Sequence, residues 1–168
     1  MRTNSKRRTA FSNVMKHMQT RPGFGSSVTH LLSSFDWASV HKVVDIGGGL
    51  GETCKQIIEH TSTFGNTTLH CVVQDLPDVI AEVQSQELDE KYGERLSFMG
   101  HNFFQEQPVK DADVYLLRWI LHDWSDANAT KILNRLVPAL KPGANVIIHE
   151  FVVPPSGSVP FYYEKTIR

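Results

Sequence analysis

The segment Arg118-Trp119-Ile120-Leu121-His122-Asp123-Trp124-Ser125-Asp126 sets a histidine and two acids between the end of an apolar run and the start of a polar one. A histidine side chain ordinarily titrates near pH 6.5, so it accepts a proton close to neutrality. Removing the proton from a phenol-like hydroxyl turns that hydroxyl into a good nucleophile. Trp119 and Trp124 suit the wall of an apolar pocket for an aromatic ring, in which a few polar groups fix orientation. Taken alone, the segment reads as a helix entry, with Ser125 as N-cap and Asp126 at the positive end of the helix dipole. A metal is not required for such chemistry. His122-Asp123 is too tight a pair for a ligand set, and apart from His149 the other histidines are scattered.

A second chemical signature lies upstream in Val43-Val44-Asp45-Ile46-Gly47-Gly48-Gly49-Leu50-Gly51. A short β-branched strand runs into a glycine turn, and a helix from Glu52 to about His60 follows. Glycine tolerates positive φ and lets a ligand approach the backbone. The helix start aims free N–H groups and a positive dipole end into the same space. A dinucleotide fingerprint needs G-x-G-x-x-G, and the position of its third glycine is Glu52 here. That disfavours a nicotinamide oxidoreductase. The G-x-G-x-G spacing after Asp45 instead resembles the turn of S-adenosylmethionine (SAM) enzymes, whose ligand presents an ammonium that a carboxylate can meet. Without a ligand, the same residues are simply a glycine-rich turn.

Asp75 follows the next extended run, about twenty residues beyond the glycines. That is where α/β cofactor folds hold a ribose diol. It also suits an N-terminal helix cap ahead of Pro77.

These groups need elements to hold them. Phe11, Val14, Met15 and Met18 give one face of a helix over about 5–18, broken by Arg21-Pro22-Gly23-Phe24-Gly25. A short helix capped by Ser26 or Ser27 carries Val28, Leu31, Leu32 and Phe35 inward. Strands are expected at 67–74, 95–100, 112–119 and 145–153, with helices over 79–92 and 126–140 between them. Strand and helix alternate, which predicts an α/β fold with a parallel sheet covered on both faces. Ligands of such sheets bind at the carboxyl ends of the strands, where Gly47–Gly51, Asp75, Asn102, His122 and Glu150 all fall. The organisation expected is a helical lead-in over 1–41 packed on a Rossmann-like unit over 42–168.

The 168 residues suffice for one ordinary domain. With 17 Lys and Arg against 18 Asp and Glu, there is no electrostatic case for nucleic acid or an anionic membrane. The basic N-terminal cluster has no apolar run behind it, so no secretory signal is expected, and no stretch approaches a membrane span. Cys54 and Cys71 match no disulfide framework or metal pattern, which fits a reducing, cytoplasmic setting. A small molecule is the expected partner.

The VVDIGGGLG run, QDLP at 74–77, His122-Asp123-Trp124-Ser125-Asp126 and HEFVVP at 149–154 together resemble the plant and fungal small-molecule O-methyltransferases of the caffeate and polyketide type. PGFGSSVTHLLSSFDW at 22–37 and the HNFF loop at 101–104 are closer to the fungal branch. The resemblance implies methyl transfer from SAM to a phenolic hydroxyl. It implies that Gly47 and Gly49 cradle the methionine part of SAM, with Asp45 beneath, and that Asp75 holds the ribose. Asn102 and Phe103 would meet adenine, with Arg118 near the cofactor. His122 would be the general base and Glu150 its orienting partner, while Met15 and Asp123 would line the acceptor pocket.

Two departures stand out. Asn102 occupies a position where the family usually has aspartate, which points to weaker cofactor binding. The family also continues past Arg168 with a helix, a second catalytic glutamate and the last two strands, and carries an N-terminal dimerisation domain. An incomplete sheet would leave strand 145–153 with an unpaired apolar edge, open to self-association or to another chain. The competing expectation is therefore a homologue that binds SAM, or pairs with a longer partner, without turnover.

Overall fold

The computed structural model describes residues 28–85 and 90–150. In chain order they form α1 (Val28–Ser34), β1 (Lys42–Ile46), α2 (Glu52–Thr63), β2 (His70–Asp75), α3 (Pro77–Gln84), β3 (Leu96–Gly100), β4 (Val114–Arg118), α4 (Asp126–Leu136) and β5 (Asn145–His149). The five strands make one sheet in the order β3-β2-β1-β4-β5, and every pairing is parallel. The fold is the expected α/β class.

Alternation along the strands sends side chains to two cores. Val43, Cys71, Val73, Val114 and Leu116 face Cys54, Ile57 and Ile58 of α2, together with Leu31, Trp37 and Val40. Val44, Ile46, Val72, Tyr115 and Leu117 face Ile132 and Leu136 of α4 and Ala139 beyond it. A central strand buried on both faces reads as an unbroken apolar run, which is why Val43-Val44 precede the turn. In α2 the buried positions Cys54, Ile57, Ile58 and Thr61 follow i, i+3, i+4, i+7. Residues 37–40 are tied down by the Asn66 amide, which donates to the carbonyls of Trp37, Ala38 and Val40.

Several boundaries differ from expectation. The strand expected from Thr67 starts at His70. The helix expected over 79–92 is α3, ending at Gln84, where the Ser85 hydroxyl donates back to the Glu82 carbonyl. A 3-10 turn at Gly93–Arg95, opened by the left-handed Gly93, leads instead into β3. The helix expected over 126–140 stops at Leu136 and tightens into a 3-10 turn over Val137–Ala139, because Pro138 has no N–H to continue the ladder. The helix over 5–18 with Met15, the cap at Ser26 or Ser27, and the end of the strand expected to reach Val153 lie outside the described residues.

β5 pairs with β4 on one side. Among the described residues its other edge has no partner, and Val146 and Ile148 are 37% and 48% exposed.

Candidate functional site

Strand order reverses between β1 and β4, since the chain runs outward from β1 through β2 to β3 and then returns to the other side of β1 at β4. Such a switch point opens a crevice at the carboxyl ends of the strands. The glycine turn after β1 sits there. Gly47, Gly49 and Gly51 have φ of 73°, 57° and 75°, so the three glycines of the G-x-G-x-G spacing are the left-handed ones. Gly48 is needed for a different reason. A Cβ there would lie 2.5 Å from Asp45 Oδ2 and 2.9 Å from Val73 Cγ1. A Cβ on Gly49 would meet nothing within 4 Å, so that face of the turn is open to a ligand. The N–H groups of Gly47 and Gly48 both donate to the Gln74 carbonyl, at 2.8 and 3.0 Å, which fastens the turn to β2.

Asp45 lies beneath the turn, 2% exposed, and accepts a hydrogen bond from Cys54 Sγ at 3.5 Å. Burial pushes its carboxyl up to about 6, against the pull of the nearby Arg118 charge. A raised carboxyl contributes stability below its unfolded value, and that contribution is lost as pH rises through the folded value. Two pH units correspond to about 3 kcal/mol. Asp45→Asn is therefore expected to be more stable than the parent at pH 7–8, with the gap closing between pH 6 and pH 4. Urea denaturation across that range checks it, and a gap that widens toward acid would contradict it.

Asp75 ends β2 and is also held up by burial. Its Oδ2 accepts the Gly49 N–H at 2.9 Å and its Oδ1 accepts the Leu76 N–H at 2.7 Å. It is not the helix cap, since Leu76 occupies that position. A carboxylate has about four acceptor sites, so each oxygen keeps capacity for one more donor, as a vicinal diol would offer.

The loop after β3 begins with His101 N–H donating to the Asp75 carbonyl. Asn102 Oδ1 accepts the Phe104 N–H at 3.0 Å, so this side chain shapes the loop. Phe103, Phe104 and Trp124 form an aromatic cluster with ring centroids 4.8–5.8 Å apart. The cluster joins this loop to the segment after β4. Ile120 and Phe103 also border the position a Cβ on Gly47 would take.

At the end of β4, Arg118 is 7% exposed. Its Nε donates to His149 Nδ1 at 3.2 Å, and its guanidinium stacks over Trp119, 4.3 Å from the ring centroid. Burial lowers the Arg118 guanidinium, opposed by Asp45 and Glu150. Trp119 takes φ of 58°, an uncommon conformation for a bulky residue and a mark of backbone strain beside the site. The chain then turns through a 3-10 segment over Leu121–Asp123, so His122 belongs to that turn and not to the entry of α4. Ser125 is the N-cap of α4 but makes no side-chain cap bond.

Glu150, just past β5, organises this turn. Its Oε1 accepts the N–H groups of Ile120 and Leu121 at 2.9 and 2.8 Å, and its Oε2 lies 2.7 Å from His122 Nδ1. A carboxylate only accepts, so Nδ1 carries the proton and Nε2 presents a lone pair. The imidazole is half exposed, with Asp123 Oδ1 3.5 Å from Nε2. The arrangement leaves Nε2 as the ring atom that can accept a proton.

The structure thus brings Asp45, Gly47, Gly49, Asp75, Asn102, Phe103, Arg118, His122, Asp123 and Glu150 to one edge of the sheet, while Met15 lies outside the described residues. The sequence analysis missed the strained Trp119, the aromatic cluster and a buried glutamine pair, Gln74 with Gln107. Only the last had a signal in the sequence: a glutamine inside an otherwise apolar strand needs a partner. Among the described residues no group of three or more potential ligands could hold a metal, and no helix is long and apolar enough to cross a membrane.

A parallel sheet with a glycine turn at its switch point, a carboxylate bonded to that turn and a carboxylate-backed histidine is the arrangement the chain presents at this edge. The chain belongs to the O-methyltransferase domain family, whose model matches residues 2–164. It is 42% identical over 159 residues to O-methyltransferase gsfB of Penicillium aethiopicum, covering 94% of this chain and 35% of that protein. It is also 42% identical over 164 residues to O-methyltransferase VdtC of Byssochlamys spectabilis, covering 94% and 36%. The chain therefore spans about a third of the length of these relatives. Among solved structures, it matches the O-methyltransferase NcsB1 from neocarzinostatin biosynthesis, in complex with SAM and 2-hydroxy-5-methyl naphthoic acid. That match has a TM-score of 0.68 at 28% identity, over 83% of this chain and 40% of that one. LepI in complex with SAM matches with a TM-score of 0.61 at 31% identity, over 83% and 34%.

Proposed function

We propose that this chain carries the SAM-binding and proton-accepting parts of an O-methyltransferase that methylates a phenolic hydroxyl of a small aromatic metabolite. The observation that carries the reading is the convergence of the glycine turn, Asp75 and the His122–Glu150 pair on one edge of the sheet at its switch point. The aromatic acid bound to NcsB1 supports an aromatic acceptor.

The residues fit the cofactor. Gly49 leaves its face of the turn open, Asp75 keeps two acceptor sites for the ribose diol, and Asp45 places a carboxylate under the turn on the side where an ammonium would add favourable charge. Asn102 and Phe103 would border the adenine, and Arg118 lies behind the site. When bound, SAM supplies a methyl group on a sulfonium that is already activated for displacement. The chain's own work is alignment and proton removal. His122 Nε2 takes the phenolic proton, Glu150 holds the ring through Nδ1, and Asp123, with Met15 from the lead-in, would line the acceptor side. The buried free thiols of Cys54 and Cys71 fit a reducing, cytoplasmic setting.

A second reading, cofactor binding without turnover, is favoured by the exposed Val146 and Ile148 on β5, which would suit a strand or face supplied by another copy or a longer partner. One experiment separates the two. The purified chain is titrated with SAM by calorimetry, incubated with methyl-labelled SAM and a panel of phenols, and sized in solution. Label in the phenol supports the first reading, heat without label supports the second, and neither heat nor label overturns both.

A further inference from the structure

We propose that Gln74 and Gln107 form an amide clasp that positions the two walls of the cofactor site relative to each other. The proposal rests on the SAM reading above for the meaning of those walls, but the clasp itself is read from the packing.

Both side chains are 1% exposed. Gln74 Nε2 donates to Gln107 Oε1 at 2.9 Å, and Gln107 Nε2 donates to Gln74 Oε1 at 2.8 Å, a closed reciprocal pair. Each residue is also fixed by its backbone to a different part of the site. The Gln74 carbonyl accepts the N–H groups of Gly47 and Gly48, and the next residue is Asp75, which binds Gly49. Gln107 closes the loop that carries Asn102 and Phe103. Its N–H donates to the Arg135 carbonyl at the end of α4, and its Oε1 also accepts the Val109 N–H. The glycine turn is thus held by the Gln74 main chain and the 101–109 loop by Gln107, and the side-chain pair links the two residues. A buried reciprocal pair tolerates little displacement, because sliding either partner leaves polar atoms unsatisfied away from water. Gln74 and Gln107 touch no proposed ligand position and are positioning residues.

Removing one partner strands the other amide, whereas replacing both with apolar residues of similar size removes that stranded group and leaves only the Val109 N–H without its acceptor. That asymmetry separates positioning from filling. Gln107→Leu and the double variant Gln74→Leu/Gln107→Leu are compared with the parent by amide hydrogen exchange without ligand and by calorimetry with S-adenosylhomocysteine. The expected result is faster exchange at Gly47, Gly48, Phe104 and Gln105 in both variants, with the interior of α2 unchanged. Binding should weaken at least tenfold in both, even where the double variant regains the parent's melting temperature. Parent-like exchange at those four amides in the double variant would overturn the clasp. The exchange arm does not depend on the ligand, so a parent that binds no S-adenosylhomocysteine would sink the SAM reading while exchange still decides the clasp.

Discussion

His122→Ala is expected to lower methyl transfer by roughly 10²–10⁴-fold, the range general-base catalysis contributes, with cofactor affinity changed less than threefold. The separation follows from the geometry. The imidazole stands on the 3-10 turn beyond β4, half exposed, and its contacts are Glu150 through Nδ1 and Asp123 through Nε2. It makes none of the hydrogen bonds that hold the glycine turn or Asp75. Steady-state kinetics on any phenol that the parent methylates, with S-adenosylhomocysteine calorimetry alongside, measures both quantities. Undiminished turnover would sink the assigned base. Glu150→Gln should act by another route. Glu150 Oε1 takes two backbone N–H groups while Oε2 takes the ring; a glutamine keeps the first two with its oxygen, but its amide nitrogen donates to Nδ1 and so moves the ring proton to Nε2. That variant should lose turnover, because Nε2 no longer offers a lone pair, while the 120–122 turn stays as in the parent.

Gly48→Ala is expected to cost about 2–3 kcal/mol of stability, or roughly 5–12 °C in melting temperature for a chain of this size, and to abolish cofactor binding. The added methyl would lie 2.5 Å from a buried carboxylate oxygen, 2.7 Å from its carbon and 2.9 Å from Val73, and none of these is the far end of a flexible chain. Gly49→Ala makes the informative contrast. It meets open space and bears mainly the cost of φ at 57°, about 1 kcal/mol. It should fold nearly as the parent does yet bind cofactor poorly, because its methyl occupies the open face. Thermal melts and calorimetry on the two variants test the pair. Equal melting temperatures would contradict the crowding argument, and unimpaired binding by Gly49→Ala would place the ligand elsewhere.

The sheet was legible because its signals are local. β-branched runs bounded by glycine or proline marked β1, and G-x-G-x-G marked the turn, where each left-handed residue had to be glycine. Asp75 was singled out from its distance downstream, whereas its bonds to Gly49 and Leu76 depend on the strand pairing and were not legible. The helix ends were missed where local bonding overrode periodicity: Pro138 shortened α4, and the Ser85 hydroxyl bonds back to Glu82 where α3 ends. What could not be read was long-range pairing between polar atoms. The Gln74–Gln107 clasp joins positions 33 residues apart, and the bonds from Glu150 to Ile120 and Leu121 join positions 30 and 29 apart. Neither leaves a periodic trace. The left-handed Trp119 left none either, since sequence argues for glycine at such a position and tertiary packing holds a tryptophan there instead.

The parallel register of β4 with β5, Arg118 against His149, also divides the cleft by the strands on which each half depends. The glycine turn needs only β1 and β2 to be fastened, because Gln74 and Asp75 supply its anchors. The base and its carboxylate meet only after β5 has docked on β4, and β4 must first find β1 across a long intervening stretch. Every ladder in the sheet closes a large loop before it gains contacts, which makes such topologies slow to fold. The glycine turn therefore depends on β1 and β2 alone, whereas the His122–Glu150 contact depends on the two strands on the other side of β1.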